Sequence, residues 1–449
     1  MLFLILSFFL RIAAQPEFND EVLAAKIDRY MQSAVDAYKF NGVVLVARQG
    51  RQIFHKAYGW KNIAEQMHND TTTVFPILSI TKSFTAMVML KLQEQNKLSL
   101  KDPLGKYLPD FPGADKVTLL QLLTHQSGIH NYTDDIGEED SALVNHPVGK
   151  NYVVDHIASK PYDFTPGKGF AYNNSGYYLA GLVIEKVTGK TYEQNVRELL
   201  FEPLQMNSSG FDFNGLPTVR KACGYQFLND KQQKPYTYVD STVGYSAGAI
   251  YSTTTDMYKW TKAIARQQLL SPASWKTALT QIAGDYGIGF RLGQLFGNSY
   301  IRHSGGYPGF ASEFIYHPKQ EVTIILLRNT GTYGEDLWPV TMGISCITLG
   351  LPYDNWKQRT EITLPAAQLE QYTGTFGQGR LKISFQIRDH QLHAILPGGL
   401  ELPMLAENSE SFYFVNYNSA FRFLKNKNGT YHKVIVHEHG KDVELKKVR

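Results

Sequence analysis

The chain has 449 residues, 43% hydrophobic and 13% aromatic; this composition excludes a disordered protein, and the length exceeds what one core usually serves. Its 45 basic and 41 acidic side chains leave a formal charge of +4 without a Lys/Arg cluster, which gives nucleic acid nothing to grip. Only Cys223 and Cys346 occur, so a disulfide framework is excluded, and Cys346 in its apolar stretch reads as a buried thiol.

Residues 1–15 open with an apolar run ending at Leu10, followed by Arg11, Ile12, Ala13 and Ala14. The run falls short of the roughly 20 residues that cross a bilayer. It matches the apolar part of a secretory signal, with small residues for cleavage. Export to a periplasmic or extracellular location is therefore expected, with no integral membrane domain after cleavage and membrane anchoring only if the segment is retained. Val22, Leu23, Ile27, Tyr30, Met31 and Ala34 share one helical face. Residues 42–47 and 53–58 read as strands joined at Gln49-Gly50. Residues 79–95 predict a helix with a broad apolar face, 119–123 a short one, and 177–187 a third closed by Gly189. A fourth helix spans 257–266. Strands at 311–316 and 322–327 form an antiparallel pair. Hairpins at both ends of this region predict one sheet covered by helices.

Beyond residue 355 the pattern changes. Residues 355–369 read as a link. Residues 370–449 hold short alternating segments at 381–387, 391–395, 411–415, 420–424 and 431–436, separated by turn residues, which predict a small antiparallel β domain. His432, His437 and His439 lie there; the latter two would share a strand face, and they read as exposed strand histidines rather than metal ligands. No metal or other cofactor is expected.

Three groups of residues carry chemistry. Ser79 and Lys82 stand three apart, so at the start of a helix they share a face. A serine hydroxyl needs a base to act as nucleophile, and a desolvated lysine can lose its proton near neutral pH. Tyr172 and Asn174 lie in a Gly/Asn-rich turn before a helix, where polar side chains face a cleft. Tyr172 is expected to pass a proton, and Asn174 to hold a substrate amide and the lysine ammonium. His303, Gly305 and Gly306 precede the strand at 311–316. The glycines admit a substrate against the strand edge, and the Gly306 and Ser79 N–H groups are expected to form an oxyanion hole. His125 reads as a loop-stabilising residue, and the glycosylation patterns at Asn131, Asn173, Asn207 and Asn428 as chance.

The ordered motifs Ser79-Ile-Thr-Lys82, Tyr172-Asn-Asn174 and His303-Ser-Gly305 resemble those of the class C β-lactamase and DD-peptidase family. Leu123-Thr-His-Gln-Ser-Gly128, Asp163-Phe-Thr-Pro-Gly167, Ser246-Ala-Gly248 and Tyr286-Gly-Ile-Gly-Phe290 also look like family text. The resemblance covers about residues 25–345. It implies an α/β (α+β) serine β-lactamase/transpeptidase-like fold at 20–354, with an antiparallel sheet covered by helices, an all-helical region and an accessory β domain. It implies that Ser79 is acylated, Lys82 deprotonates it and Tyr172 relays the proton. Asn174 would contact substrate and lysine, and His303 would lie in the wall that meets the far end of the substrate. Penicillin-hydrolysing members commonly carry lysine where His303 stands, and histidine is mostly neutral at pH 7. The expected activity is therefore hydrolysis of an amide or ester through an acyl-enzyme, as in a D-amino-acid peptidase or esterase. The alternatives are a true β-lactamase and a penicillin- or peptide-binding sensor. The partner expected is a small-molecule or peptide substrate, cell-wall derivatives included; the sequence leaves the oligomeric state open.

Overall fold

The structure, a computed structural model, describes residues 19–135, 146–229, 232–236, 239–332 and 336–448. The segment 1–15, read from the sequence as a secretory signal, lies outside them. The elements that matter are helices α1 (Asp20–Asp36), α2 (Thr81–Glu94), α3 (Asn174–Thr188), α4 (Ser241–Gly248), α5 (Thr254–Ala265) and α6 (Trp338–Leu349). Strands β1 (Gly42–Arg48), β2 (Arg51–Tyr58), β3 (Arg291–Leu295), β4 (Asn298–Tyr307), β5 (Phe310–His317) and β6 (Val322–Arg328) form one sheet. Contacts divide the chain into two compact units, residues 41–294 with 298–337, and residues up to Phe40 with 295–297 and 338 onwards.

In the first unit the sheet order is β2-β1-β6-β5-β4-β3, so the N-terminal hairpin and the C-terminal strands share one sheet. Gln49 and Gly50 both take positive φ at the hairpin turn, the geometry that matches strand twist. Residues of β5 and β6 are buried along their whole length, which explains their unbroken apolar runs. Helix α5 packs on β1, β5 and β6. Helix α2 buries nearly all its residues, polar ones included. Its buried hydroxyls are satisfied: Thr85 Oγ1 donates to the Ser246 carbonyl at 2.6 Å, and Thr81 Oγ1 accepts from Ile250 N–H at 3.1 Å.

The second unit holds a nine-stranded antiparallel sheet made of β7 (Gly374–Gln378), β8 (Leu381–Arg388), β9 (Gln391–Ile395), β10 (Glu401–Pro403), β11 (Leu405–Ala406), β12 (Ser411–Tyr413), β13 (Ala420–Lys425), β14 (Tyr431–Glu438) and β15 (Lys441–Lys447). Its order is β10-β9-β8-β7-β15-β14-β13-β12-β11. The two edge strands are consecutive in the chain, so the sheet nearly closes on itself, which limits its exposed edges. Tyr372, Phe376, Phe385, Phe412, Phe421, Phe423 and Tyr431 fill its interior.

Three expectations change. This unit also takes in α1 and α6, which pack together, whereas the sequence places both with the region carrying the motifs. The stretch read as a link is pinned down: the buried Trp356 donates from Nε1 to the Tyr30 hydroxyl at 2.9 Å, and Ile362 bridges to Ala406. His437 ends on β14 beside Asp442 and Asp354, while His439 lies past the strand with φ 49°, so the two share no strand face. Among the described residues no group of three His, Cys, Asp or Glu is placed to hold a metal, and no helix is long and apolar enough to cross a membrane. Both cysteines are free, and burial pushes the Cys346 thiol up to about 12.

Candidate active site

The α2 helix does not begin at Ser79. A 3-10 turn, Leu78–Ile80, precedes it, and Leu78 takes φ 53°, a left-handed conformation that costs a branched residue of order 1–3 kcal/mol. This bend brings Ser79 out of an otherwise buried stretch, partly exposed between Leu78 and Ile80. The strained turn thus presents a hydroxyl at the head of a buried helix.

Lys82 is fully buried one turn on. Its Nζ lies 3.1 Å from Ser79 Oγ, 2.6 Å from Asn174 Oδ1 and 2.9 Å from the Ala247 carbonyl. Burial pulls its ammonium well below the ordinary lysine range. The neutral amine suits this setting, donating to the amide and carbonyl oxygens and keeping its lone pair for the Ser79 hydroxyl. The Ala247 carbonyl reaches Lys82 because α4 kinks at Tyr245, where φ is 38°.

Tyr172 sits in the turn before α3 and shares a hydrogen bond with Ser79. Desolvation pushes its phenol up to about 12, against the Ser79 hydrogen bond and the nearby Arg291 charge. Lys82 Nζ lies 4.9 Å from the centre of its ring. Asn173 caps α3 by accepting from Gly176 N–H at 2.7 Å, which leaves Asn174 as the first helical residue. Asn174 Nδ2 donates to Thr133 Oγ1 at 2.7 Å, and its backbone N–H to Asn131 Oδ1 at 2.8 Å. Both ends of the amide are thereby fixed. The chance reading of the Asn131 and Asn173 patterns agrees with their burial.

His303, Gly305 and Gly306 lie within β4 rather than ahead of a strand. A Cβ on Gly305 would meet the Ile77 carbonyl at 2.5 Å and Leu78 Cβ at 2.7 Å, so β4 presses on the Ser79 turn; a Cβ on Gly306 would meet nothing within 4 Å. The strand therefore packs through Gly305 and stays open at Gly306. His303 is buried instead of lining the wall. Its Nδ1–H donates to the Ser304 carbonyl at 2.8 Å, which leaves Nε2 to accept from the Tyr286 hydroxyl at 2.8 Å. Burial, with Lys82 nearby, pulls its pKa well below 6.5. It is a neutral brace.

Sequence reasoning passed over Arg291, and gave Tyr286 and His125 less than the structure does. Arg291 holds Asp285 through two 2.8 Å contacts, and its guanidinium stands 5.6 Å from the Tyr172 ring centre and 5.8 Å from that of Tyr286. The cation beside the site is this arginine; its place right after Tyr286–Phe290 was the available signal. Tyr286 fixes His303. His125 matches its loop-stabilising reading and does more: its Nδ1 accepts from Asn173 N–H at 3.0 Å, while the buried Nε2 has no hydrogen-bond partner among the described residues and the ring lies 4.4 Å from those of Tyr172 and Tyr286.

This arrangement has relatives. The Beta-lactamase family model matches residues 27–338. A putative penicillin-binding protein of Bacillus subtilis is 30% identical over 68% of this chain and 73% of its own. A teichoic acid D-alanine hydrolase of Staphylococcus aureus is 29% identical over 67% and 72%. The crystal structure of a penicillin-binding protein from Bacillus halodurans aligns with TM-score 0.62 and 31% identity over 68% of this chain and 95% of that one. An octameric penicillin-binding protein homologue from Pyrococcus abyssi, at 22% identity, shares the fold across 94% of this chain and 99% of its own, with TM-score 0.65. A serine, a buried lysine and a tyrosine gathered on this fold, under a family match spanning most of the chain, place it in the beta-lactamase family of serine hydrolases.

Proposed function

We propose that the chain hydrolyses an amide or ester of a D-amino-acid derivative through an acyl-enzyme on Ser79. The observation that carries this reading is the buried Lys82 amine 3.1 Å from Ser79 Oγ, with Tyr172 on the same hydroxyl. Lys82 takes the Ser79 proton as Oγ attacks the carbonyl. The Ser79 and Gly306 N–H groups receive the oxyanion. Tyr172 delivers a proton to the leaving group, and water then releases the acid by the reverse relay. Two relatives act on D-configured groups by their names, the staphylococcal D-alanine hydrolase and a D-stereospecific amidohydrolase from Streptomyces, 25% identical with TM-score 0.60. Both names support a D-aminoacyl substrate.

The Arg291 guanidinium, paired with Asp285 but 5.6 Å from the Tyr172 ring centre, supports a substrate with an anionic end and keeps β-lactam hydrolysis as a second reading, since the neutral His303 supplies no charge. Turnover of D-alanyl esters, D-alanyl peptides and a chromogenic cephalosporin by the full chain decides between them. Many equivalents of D-alanyl product per enzyme, absent in Ser79→Ala, are expected. One equivalent of acylation that then stops would make the protein a sensor, and cephalosporin turnover above that of every D-alanyl compound would make it a β-lactamase.

A further inference from the structure

The turn before α3 is tied down on both sides of Tyr172 by one residue. His125 accepts from Ala171 N–H through its backbone carbonyl at 3.1 Å, and from Asn173 N–H through Nδ1 at 3.0 Å. Its ring also lies against the phenol, with 4.4 Å between ring centres and 36° between planes. The local sequence builds this. The short helix Leu119–Leu123 ends at Thr124, and Gln126 N–H turns back to the Gln121 carbonyl at 2.9 Å. His125 stands between them with φ 59°, a position where glycine, and after it asparagine, is the usual residue. The imidazole is therefore explained by what it touches and not by the turn.

Acid–base chemistry does not account for it. Burial, with Lys82 nearby, pulls its pKa well below 6.5, so the ring is neutral. Because Nδ1 accepts, the proton sits on Nε2, which is buried and has no hydrogen-bond partner among the described residues. What the ring does make is the Asn173 contact. The Asn173 side chain is held separately, donating to the Ile129 carbonyl at 2.6 Å and accepting from Gly176 N–H at 2.7 Å. Loss of the Nδ1 contact should therefore shift the turn without unravelling α3. Tyr172 meets Ser79 from this turn, and a reacting group displaced by about 1 Å can cost on the order of a hundredfold in rate.

We infer that His125 is the positioning residue of the proton relay: its Nδ1 and its carbonyl hold the Ala171–Asn173 turn so that the Tyr172 hydroxyl rests on Ser79. The inference rests on the acyl-enzyme reading, in which Tyr172 protonates the leaving group. It makes leaving groups that need a proton depend on His125, and those that leave as stable anions depend on it little.

The test gives the full chain two esters of N-acetyl-D-alanine: the methyl ester, whose alkoxide leaves with a proton, and the p-nitrophenyl ester, whose phenolate leaves without one. His125→Phe keeps a ring but no acceptor. His125→Gly also lacks the acceptor and relieves the left-handed turn, so it does not depend on accommodating a phenyl ring. His125→Asn puts an acceptor oxygen at the place of Nδ1. In both acceptor-free variants kcat/KM should fall roughly a hundredfold for the methyl ester and at most about tenfold for the p-nitrophenyl ester. Tyr172→Phe should show the same ordering, and His125→Asn should bring the ratio back to within about threefold of the wild type. Crystal structures of the acceptor-free variants, which need no turnover, should show the Tyr172 hydroxyl out of hydrogen-bond reach of Ser79 Oγ. A retained Tyr172–Ser79 bond overturns the inference. So does a His125→Asn ratio no better than that of the acceptor-free variants, or a selective loss in Tyr172→Phe that they do not share. Equal losses on the two esters in Tyr172→Phe overturn the proton-delivery reading itself, and the crystal structures then still decide whether His125 places the tyrosine.

Discussion

Burial converts Lys82 from a surface cation into a base, and the count of its neighbours decides which form is stable. The Asn174 amide and the Ala247 carbonyl accept two N–H groups, and the third direction meets a hydroxyl that can itself donate. Lys82→Arg keeps a cation with no proton to lose at working pH, so acylation should fall roughly a hundred- to ten-thousandfold, the usual worth of a general base, when followed by intact-protein mass. In the native enzyme the acylation rate should rise as pH climbs through the depressed Lys82 value, and reach its plateau below the ordinary lysine range. A rate still climbing at pH 10 would show that Lys82 stays charged. His303 makes the opposite case. A residue that is neutral and braced cannot titrate against a substrate carboxylate, so the preference for a carboxylated over a neutral ester should be flat between pH 5.5 and 8. Arg291→Gln should reduce that preference about five- to thirtyfold, the value of a partly exposed charged contact. An unchanged ratio of the two kcat/KM values would remove Arg291 from the substrate's path.

At the scale of elements, the site depends on β4 lying flat against the Ser79 turn. Gly305 and Gly306 are neighbours with opposite surroundings, one against the Ile77 carbonyl and the other against open space. Gly305→Ala should push the strand from the turn, cost about 1–3 kcal/mol as overpacking does, and slow acylation with every substrate. Gly306→Ala should leave the thermal midpoint within a degree or two and alter only how substrates rank. Equal stability of the two variants would show that the strand does not rest on the turn. In the other unit, the segment 350–365 hangs on Trp356. Trp356→Ala removes a large buried side chain and its hydrogen bond to Tyr30, a loss of about 3–5 kcal/mol. Limited proteolysis should then cut near 357–361 in the variant and spare the wild type.

Over the whole molecule, buried histidines set the acid limit of stability. Burial holds His125 and His303 neutral, with folded pKa values well below 6.5. The unfolded chain therefore takes up protons first: their contribution is complete above about pH 6.5 and declines as pH falls below it, by up to about 1.4 kcal/mol per pH unit for each. His130 works in the other sense. Against the desolvation that opposes it, Asp163 and Asp135 raise its pKa. Its contribution is complete below about pH 6.5 and is lost as pH rises through the higher folded value. Unfolding midpoints measured from pH 5 to 8 should show His303→Gln with a shallower acid decline than the wild type. Parallel curves would mean that His303 is protonated in the folded protein.

Local pattern was enough for much of this protein. Period-two spacing located most of the C-terminal strands, whose residues alternate between core and water, while β1, β5 and β6 were legible as short unbroken apolar runs bounded by turn residues, and α2, α3 and α5 as apolar helical faces. The i, i+3 spacing of Ser79 and Lys82 sufficed to bring them together, since one helical turn separates them. Other features depend on atoms far apart in the chain. Whether His303 is a wall or a brace depends on Tyr286 and on burial beneath β4. The Asn131-Tyr-Thr stretch became the support of Asn174 only when two loops met. The cation beside the site is Arg291 because β3 carries it to Tyr172. Motif spacing determined which groups could react; desolvation and charge, which exist only once the chain has closed around them, decided which are neutral, which are charged and which are merely held.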